Sequence, residues 1–253
     1  MELQQNLAAM QKCGIKPYAI SYDSVEVLGA FATKYGITYP LLADPDSQAI
    51  RAFGIFNDLI PADHSWYGVP FPGTYMVDAQ GLVTDKSFYA NHGVRDGVAQ
   101  MLQESFHLTP TGRPVQRLEN ADITATATLS SGTIRPGQVQ TFSLDIQLKQ
   151  GRHIYAPQVT GGYKPVELVI DPIDDAQIDP VVYPAPQILS ILGEEVPVYT
   201  DQLQLKAAVR SHSKADFSIA ARLNYQACDE SECYMPQQLA FALPLTFIDN
   251  IWQ

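Results

Sequence analysis

The stretch LNYQACDESECYMPQQLAFALPL, residues 223–245, contains two of the three cysteines of the chain, Cys228 and Cys233. Runs with strand-like composition flank the cysteines on both sides. Only Asp-Glu-Ser-Glu separates the two, and a hairpin of this size can bring their Cα atoms within the roughly 4.4 to 6.8 Å that a disulfide demands. The spacing predicts a disulfide across a hairpin, and it leaves open whether the bond is a permanent staple or a reversible redox pair.

The three acids of this turn, Asp229, Glu230 and Glu232, crowd both sulfurs with negative charge, and no Lys, Arg or His adjoins them in sequence. Because negative charge disfavours a thiolate, we expect a poor free nucleophile that exchanges efficiently only with a docked partner. The alternative is that the acids are ordinary solvated turn residues. Two thiolates without a further Cys or His nearby cannot complete a structural zinc site, so neither a metal nor a cofactor is expected.

Around this hairpin, the second part of the chain shows alternating strand patterns and no helical periodicity. Pro and Gly punctuate the runs, which predicts an all-β, immunoglobulin-like sandwich over residues 119–253. The predicted strands span residues 123–129, 140–148, 166–170, 203–209, 217–225 and 238–247.

The first part, residues 1–107, alternates helical and strand patterns, which favours an α/β domain. Strands are expected over residues 18–23, 40–43, 74–78 and 82–88, and helices over residues 2–12, 46–53 and 94–106. A further helix is expected to begin at an N-cap that is either Asp23 or Ser24 and to end at Gly36. Between the two parts, LTPTGRPVQRL at residues 108–118 holds two Pro and a Gly without periodicity, which is typical of a linker.

Charge and hydropathy exclude two classes of partner. The 16 Lys and Arg against 27 Asp and Glu give a net charge of −11, and no basic cluster stands out, so nucleic-acid binding is not expected. No apolar run approaches the roughly 18 to 20 residues that cross a bilayer, so no membrane span is expected.

Three segments of the second part resemble, in order and spacing, the N-terminal periplasmic domain of the thiol:disulfide interchange protein DsbD. They are HIYAP at 153–157, VPVYTDQLQL at 196–205 and YQACDESECYMP at 225–236. The resemblance implies that Cys228 and Cys233 pass electrons from a thioredoxin-like partner to acceptor proteins.

The same resemblance implies which residues surround the cysteine pair. Residues lining the site are expected at His153, Tyr155 and Tyr234. A shielding loop is expected at residues 190–195, SILGEE, where Leu192 is nearest the position of the family's shielding Phe.

Residues 2–106 resemble the thioredoxin-like redoxins, which include AhpC/TSA peroxidases and TlpA-type reductases. The segments that carry this resemblance are YAISYDS at 18–24, YPLLADPDSQAIRAFGI at 39–55 and FPGTYMVDAQGLV at 71–83. In the redoxin family, a strand and a cysteine motif precede the helix that corresponds to residues 2–12 of this chain. The resemblance therefore implies that the redoxin domain is incomplete here. Pro72 matches the family's site-lining cis-proline, and Cys13 is expected to be a buried structural cysteine.

We therefore expect a thiol-disulfide relay through Cys228 and Cys233 in a periplasmic or otherwise extracytoplasmic compartment, with thioredoxin-like domains as partners. The N-terminal signal that would direct such export is expected to lie outside this sequence. Two alternatives stay open at this point. One is a thiol peroxidase with a passive sandwich domain, and the other is a non-enzymatic binding module whose disulfide is structural.

Overall fold

The structure is a computed structural model that describes residues 2–89, 93–110, 112–191 and 193–249. The chain packs as two compact units, Met1–Val98 and Ala99–Gln253. Each unit is built from the class of elements that its sequence pattern predicts.

The first unit is a small α/β segment. The strands β1 and β2 pair in parallel on either side of α2 in the chain, and β3 and β4 form an antiparallel hairpin. Its elements are α1 (Glu2–Lys12), β1 (Ala19–Ser21), α2 (Val25–Tyr35), β2 (Leu41–Ala43), α3 (Gln48–Ala52), β3 (Gly73–Val77), β4 (Val83–Phe88) and β5 (Arg95–Asp96), and α4 (Val98–Phe106) follows at the boundary.

Helix α2 begins and ends where its sequence predicts. The Ser24 side chain accepts a hydrogen bond from the Val27 N–H, which satisfies one of the free donors of the first turn. Gly36 adopts a left-handed backbone with φ of 62° and its N–H donates to the Ala32 carbonyl, so the helix stops there.

The second unit is a β-sandwich. Two sheets run in the orders β11-β16-β18-β8 and β12-β15-β9-β7-β6, and a smaller sheet, β13-β14-β10-β17, carries Cys228. The strands are β6 (Val115–Glu119), β7 (Ile123–Leu129), β8 (Thr133–Ile134), β9 (Gln138–Leu148), β10 (His153–Tyr155), β11 (Glu167–Ile170), β12 (Ala176–Ile178), β13 (Gln187–Ile191), β14 (Glu194–Thr200), β15 (Gln202–Ser211), β16 (Phe217–Tyr225), β17 (Ala227–Cys228) and β18 (Gln237–Phe247).

Strand β6 occupies residues that the composition assigns to the linker. Val115–Glu119 pairs in antiparallel fashion with β7 and forms one edge of its sheet. Its even-numbered residues Gln116 and Leu118 are half-buried and its odd-numbered residues are exposed, which is the alternation of an edge strand. The Pro and Gly content of the preceding residues masks this short pattern.

The core of the sandwich lies between the two larger sheets. Leu144 and Ile146 of β9 and Ile219 and Leu223 of β16 belong to one continuous apolar cluster and are at most 1% exposed. Burial alternates along β16 and along the last part of β9, residues 144–148, whereas residues 139–144 of β9 are buried on both faces.

We predict that Phe142→Ala destabilises the sandwich strongly, because Phe142 is fully buried and its removal leaves a cavity. Such truncations cost about 3 to 5 kcal/mol. The control Val182→Ala removes a side chain that is 66% exposed, and it should change the free energy of unfolding by less than about 0.5 kcal/mol. Urea unfolding followed by circular dichroism measures both, and equal shifts for the two variants would contradict this description of the core.

Candidate functional site

The two cysteines close a tight turn at the end of β17. Cys228 and Cys233 face each other in an antiparallel bridge and are joined by a disulfide. The Asp229 N–H donates to the Glu232 carbonyl at 2.9 Å, and the Tyr234 N–H donates to the Ala227 carbonyl at 2.8 Å. The hairpin and the disulfide that the spacing predicts are both present.

The two halves of the disulfide differ in accessibility. Cys228 is 1% exposed and packs in a small apolar cluster, whereas Cys233 is exposed. A thiolate from another protein can therefore approach Cys233, while Cys228 is covered by the chain itself.

Strand β10 places two aromatic rings beside the disulfide. His153 is the register partner of Cys228 in the antiparallel pair β10–β17, so their side chains lie on the same face of the sheet. Tyr155, two residues on, shares that face, and its hydroxyl lies 3.4 Å from Cys233 Sγ. The two rings meet edge to face with centroids 5.6 Å apart. The structure thus brings His153 and Tyr155 to the cysteine pair.

Apolar side chains from β14 pack against this face. Val196, Val198 and Tyr155 form one buried cluster with Cys228, and the Tyr163 ring lies 4.5 Å from that of Tyr155. Partly buried side chains from β13 join this cluster. Leu192, which the sequence places in a shielding loop, lies outside the described residues.

The Asp229 carboxylate organises the turn. Its Oδ1 accepts hydrogen bonds from the Ser231 N–H at 2.8 Å, from the Ser231 hydroxyl at 2.7 Å and from the Glu232 N–H at 3.0 Å. Its Oδ2 accepts from the Tyr234 hydroxyl and from the Arg152 guanidinium. The Tyr234 hydrogen bond and then those from Ser231 and Glu232 hold the Asp229 pKa far below its ordinary value, so the carboxylate is ionised at neutral pH.

Arg152 is the residue of this site that sequence reasoning missed. It forms ion pairs with Asp229 at 2.9 Å and with Asp122 at 3.1 Å, and its guanidinium lies 4.2 Å from the centre of the Tyr234 ring. No Lys, Arg or His adjoins the turn in sequence, but the fold brings the Arg152 guanidinium to it. Arg152 precedes His153, and the pairing of β10 with β17 brings it to Asp229, so the relevant neighbour comes from another strand.

His153 and Tyr155 are neutral proton-bearing groups beside the sulfurs. Burial lowers the pKa of His153, and the charge of Asp229 only partly opposes that shift, so the imidazole is uncharged at pH 7. Burial, with a smaller contribution from Tyr163, raises the pKa of Tyr155, so its hydroxyl keeps its proton. The site holds a disulfide that is exposed at one end and flanked at the other by an uncharged imidazole.

Two expectations for the first unit are wrong. No peptide bond in the described part of the chain is cis, so Pro72 follows Phe71 in the trans form. The trans form of an X-Pro bond is favoured by about 0.5 to 1 kcal/mol unless packing selects cis, and Pro72 is only half-buried before β3. Cys13 is exposed rather than buried, because α1 ends at Lys12 and the chain leaves the helical path that buries Leu7 and Met10.

Neither a cluster of metal-ligating side chains nor a membrane-spanning helix occurs among the described residues. Within 2–89, 93–110, 112–191 and 193–249, no three His, Cys, Asp or Glu side chains cluster as a metal site. Over the same ranges, no helix has both the length and the hydropathy to span a bilayer.

Each of the two units matches the model of a known protein family. Residues 121–245 match the family described as thiol:disulfide interchange protein DsbD, N-terminal, and residues 1–86 match the AhpC/TSA family. Both resemblances are confirmed. The second unit is a sandwich like the DsbD N-terminal domain, the first is a small thioredoxin-like segment, and the two matches support a thiol-disulfide redox function.

The curated relatives are peroxiredoxins that match about a third of the chain. Peroxiredoxin Bcp of Escherichia coli strain K12 is 29% identical over 85 residues, which cover 32% of this chain and 51% of the relative. The chain spans about half the length of the curated relatives it matches.

Two of the similar solved structures each cover about half of the chain. The N-terminal periplasmic domain of ScsB from Proteus mirabilis is 16% identical with a TM-score of 0.39, over 50% of this chain and 49% of that one. The reduced DsbD N-terminal domain of Neisseria meningitidis is 14% identical with a TM-score of 0.31, over 55% of this chain and 91% of that one.

We predict that Asp229→Asn lowers the thermal midpoint of the second unit at pH 7, because an amide loses the ion pair to Arg152 and part of the hydrogen bonding of the turn. A depressed carboxyl pKa stabilises the fold above the unfolded pKa, and that contribution is lost as the pH falls through the folded pKa. The difference between Asp229→Asn and wild type should therefore shrink below about pH 3.8, the ordinary value for Asp.

The matched control is Glu230→Gln, which removes one charge from the same turn at an exposed position. Its thermal midpoint should follow that of the wild type across the pH range. Equal effects of the two substitutions at pH 7 would show that Asp229 acts only through net charge and not by organising the turn.

Proposed function

We propose that the chain carries out thiol-disulfide exchange through Cys228 and Cys233, as an electron relay between a thioredoxin-like partner and acceptor proteins. The observation that carries the proposal is the unequal exposure of the pair. A disulfide between one exposed cysteine and one buried cysteine directs attack to a single position, here Cys233. The family match of residues 121–245 supports the same chemistry.

The exchange proceeds in two balanced steps. A thiolate of the reduced partner attacks Cys233 Sγ, the bond between Cys233 and Cys228 breaks, and Cys228 leaves with the electron pair. The second thiol of the partner then loses its proton and attacks the partner's own sulfur in the mixed disulfide, which releases Cys233. The partner is oxidised to a disulfide, and Cys228 and Cys233 are reduced to thiols.

The surface beside Cys233 suits a docked protein better than a small thiol. Met235 is 78% exposed two residues after Cys233. Pro236 lines an open groove of about 680 Å³ that runs along the start of β18. The exposed acids Glu230 and Glu232 in the turn repel small anionic thiols. A protein partner can offset this repulsion by apolar contacts that hold its thiolate near Cys233.

An extracytoplasmic compartment fits this chemistry. An accessible cysteine pair stays oxidised in such a compartment until a dedicated donor reduces it. We place the relay there, with thioredoxin-like domains that carry a complete cysteine motif as its partners.

The experiment follows disulfide reduction by a reduced thioredoxin-like protein. We predict that Cys13→Ser exchanges at the wild-type rate, whereas Cys228→Ser and Cys233→Ser lose exchange. Cys228→Ser retains the exposed Cys233 and should accumulate a mixed disulfide with the donor, detectable on a non-reducing gel. Cys233→Ser should trap far less, because its remaining sulfur is buried.

Two outcomes would contradict the relay. Absence of exchange with every thioredoxin-like donor would favour a binding module with a structural disulfide. Peroxide turnover that depends on Cys13 and survives Cys233→Ser would favour the peroxidase alternative.

A further inference from the structure

His153 carries a buried polar atom that the fold leaves unsatisfied. The residue is 8% exposed, and its Nε2 has no hydrogen-bond partner in the part of the chain that the structure describes. An unsatisfied buried polar atom costs free energy of about 1 to 3 kcal/mol, so its presence calls for an explanation. The direct neighbour of His153 across the strand pair is Cys228.

The ionisable groups around His153 come from three elements. Its own strand contributes Tyr155, and Arg152 precedes it; β17 and the turn contribute Cys228 and Asp229. The residue opposite it on β14 is Thr200, which carries no charge. The Asp229 carboxylate is already occupied by Arg152, Tyr234 and the turn N–H groups. Tyr155 keeps its proton at neutral pH because burial raises its pKa.

The proposed relay requires the buried thiol of Cys228 to lose its proton. When the reduced pair passes electrons to an acceptor, Cys233 attacks first, and a mixed disulfide with the acceptor forms. Cys228 must then lose its proton to attack Cys233 Sγ, but burial in apolar surroundings disfavours a thiolate. A base within the fold is needed, because the covered Cys228 is poorly placed to give its proton to water.

We propose that His153 is the proton acceptor for Cys228 in the step that resolves the mixed disulfide. This inference rests on the proposed function and assigns the proton transfer within it. Its supports are the register that puts the two side chains on one face, the burial of both residues and the unpartnered Nε2.

The step balances in atoms and electrons. The Cys228 thiol transfers its proton to the lone pair of His153 Nε2, and the sulfur attacks Cys233 Sγ. The bond between Cys233 and the acceptor sulfur breaks, and the acceptor leaves as a thiolate that carries the electron pair. The products are the Cys228–Cys233 disulfide, a reduced acceptor and an imidazolium that returns its proton to solvent. In the reverse direction, an imidazolium at His153 protonates Cys228 as it leaves.

A small uncharged aromatic disulfide, 4,4′-dithiodipyridine, tests the step without any protein partner and without repulsion by the acids of the turn. The reduced full chain carrying Cys13→Ser reacts through Cys233 and releases one equivalent of 4-thiopyridone, which is followed by its absorbance. The attack of Cys228 on the resulting mixed disulfide then releases a second. Stopped-flow absorbance resolves the two releases, and the rate constant of the second is measured against pH for wild-type His153, for His153→Gln and for the exposed control His64→Gln.

With His153 present, the rate of the second release should increase with increasing pH up to about pH 6.5, the ordinary His value, because the imidazole becomes a free base in that range. Burial lowers the His153 pKa, so the rate should then be constant from pH 7 to about 8. His153→Gln should slow this release about 10²-fold at pH 7, the size of a general-base contribution. Its rate should rise only in the alkaline range where thiols ionise, about pH 8.5 and above. The first release should be unchanged in all proteins, which shows that the site is folded, and His64→Gln should match its parent.

Three results would overturn the proposal. They are an unchanged second release in His153→Gln, the same pH profile in both proteins, and a profile with His153 present that rises only above pH 8. If His153→Gln does not fold, the profile with His153 present decides alone. Normal second release without exchange with any thioredoxin-like donor would retain this proposal and reject the relay, so the two failures are distinguishable.

Discussion

The pairing of β10 with β17 is the constraint on which the site depends. In the register His153 with Cys228, one antiparallel contact brings three things to the disulfide: the imidazole opposite Cys228, the Tyr155 hydroxyl near Cys233, and the Arg152 guanidinium on Asp229. A shift of the strand register by one residue would turn the side chains of β10 to the other face of the sheet, and all three contacts would be lost. Cys228 is buried in the cluster that includes Tyr155 and the β14 side chains, while Cys233 is exposed, so the two ends of the disulfide differ in accessibility.

The long elements could be predicted from sequence because their patterns are complete. Strands Ile123–Leu129 and Phe217–Tyr225 have the predicted bounds, since alternation over seven or nine residues with one buried face is hard to mistake. Helix α2 could be bounded to within one residue, by Asp23 or Ser24 at its start and by Gly36 at its end, because each cap has a local physical cause. The cysteine hairpin was predictable from the four-residue spacing of Cys228 and Cys233.

The elements that build the site are too short for a periodic signal. Strand β10 has three residues that are all buried, and β17 has two, so neither shows alternation. His153 and Tyr155 were therefore found by family resemblance, and Arg152 was missed because its partner Asp229 is 77 residues away. The trans bond at Pro72 and the exposure of Cys13 likewise depend on local packing that composition does not report.

The central claim is that the Cys228–Cys233 bond is a redox pair and not a staple, and its reduction potential tests that claim most directly. The full chain would be equilibrated in glutathione buffers of known potential, quenched with acid and alkylated, and the reduced fraction of each cysteine would be read by mass spectrometry. Proteins that exchange disulfides have potentials between about −270 and −120 mV, whereas structural disulfides lie below about −300 mV. A value within the first range is the predicted result, and a value below about −300 mV would contradict the relay.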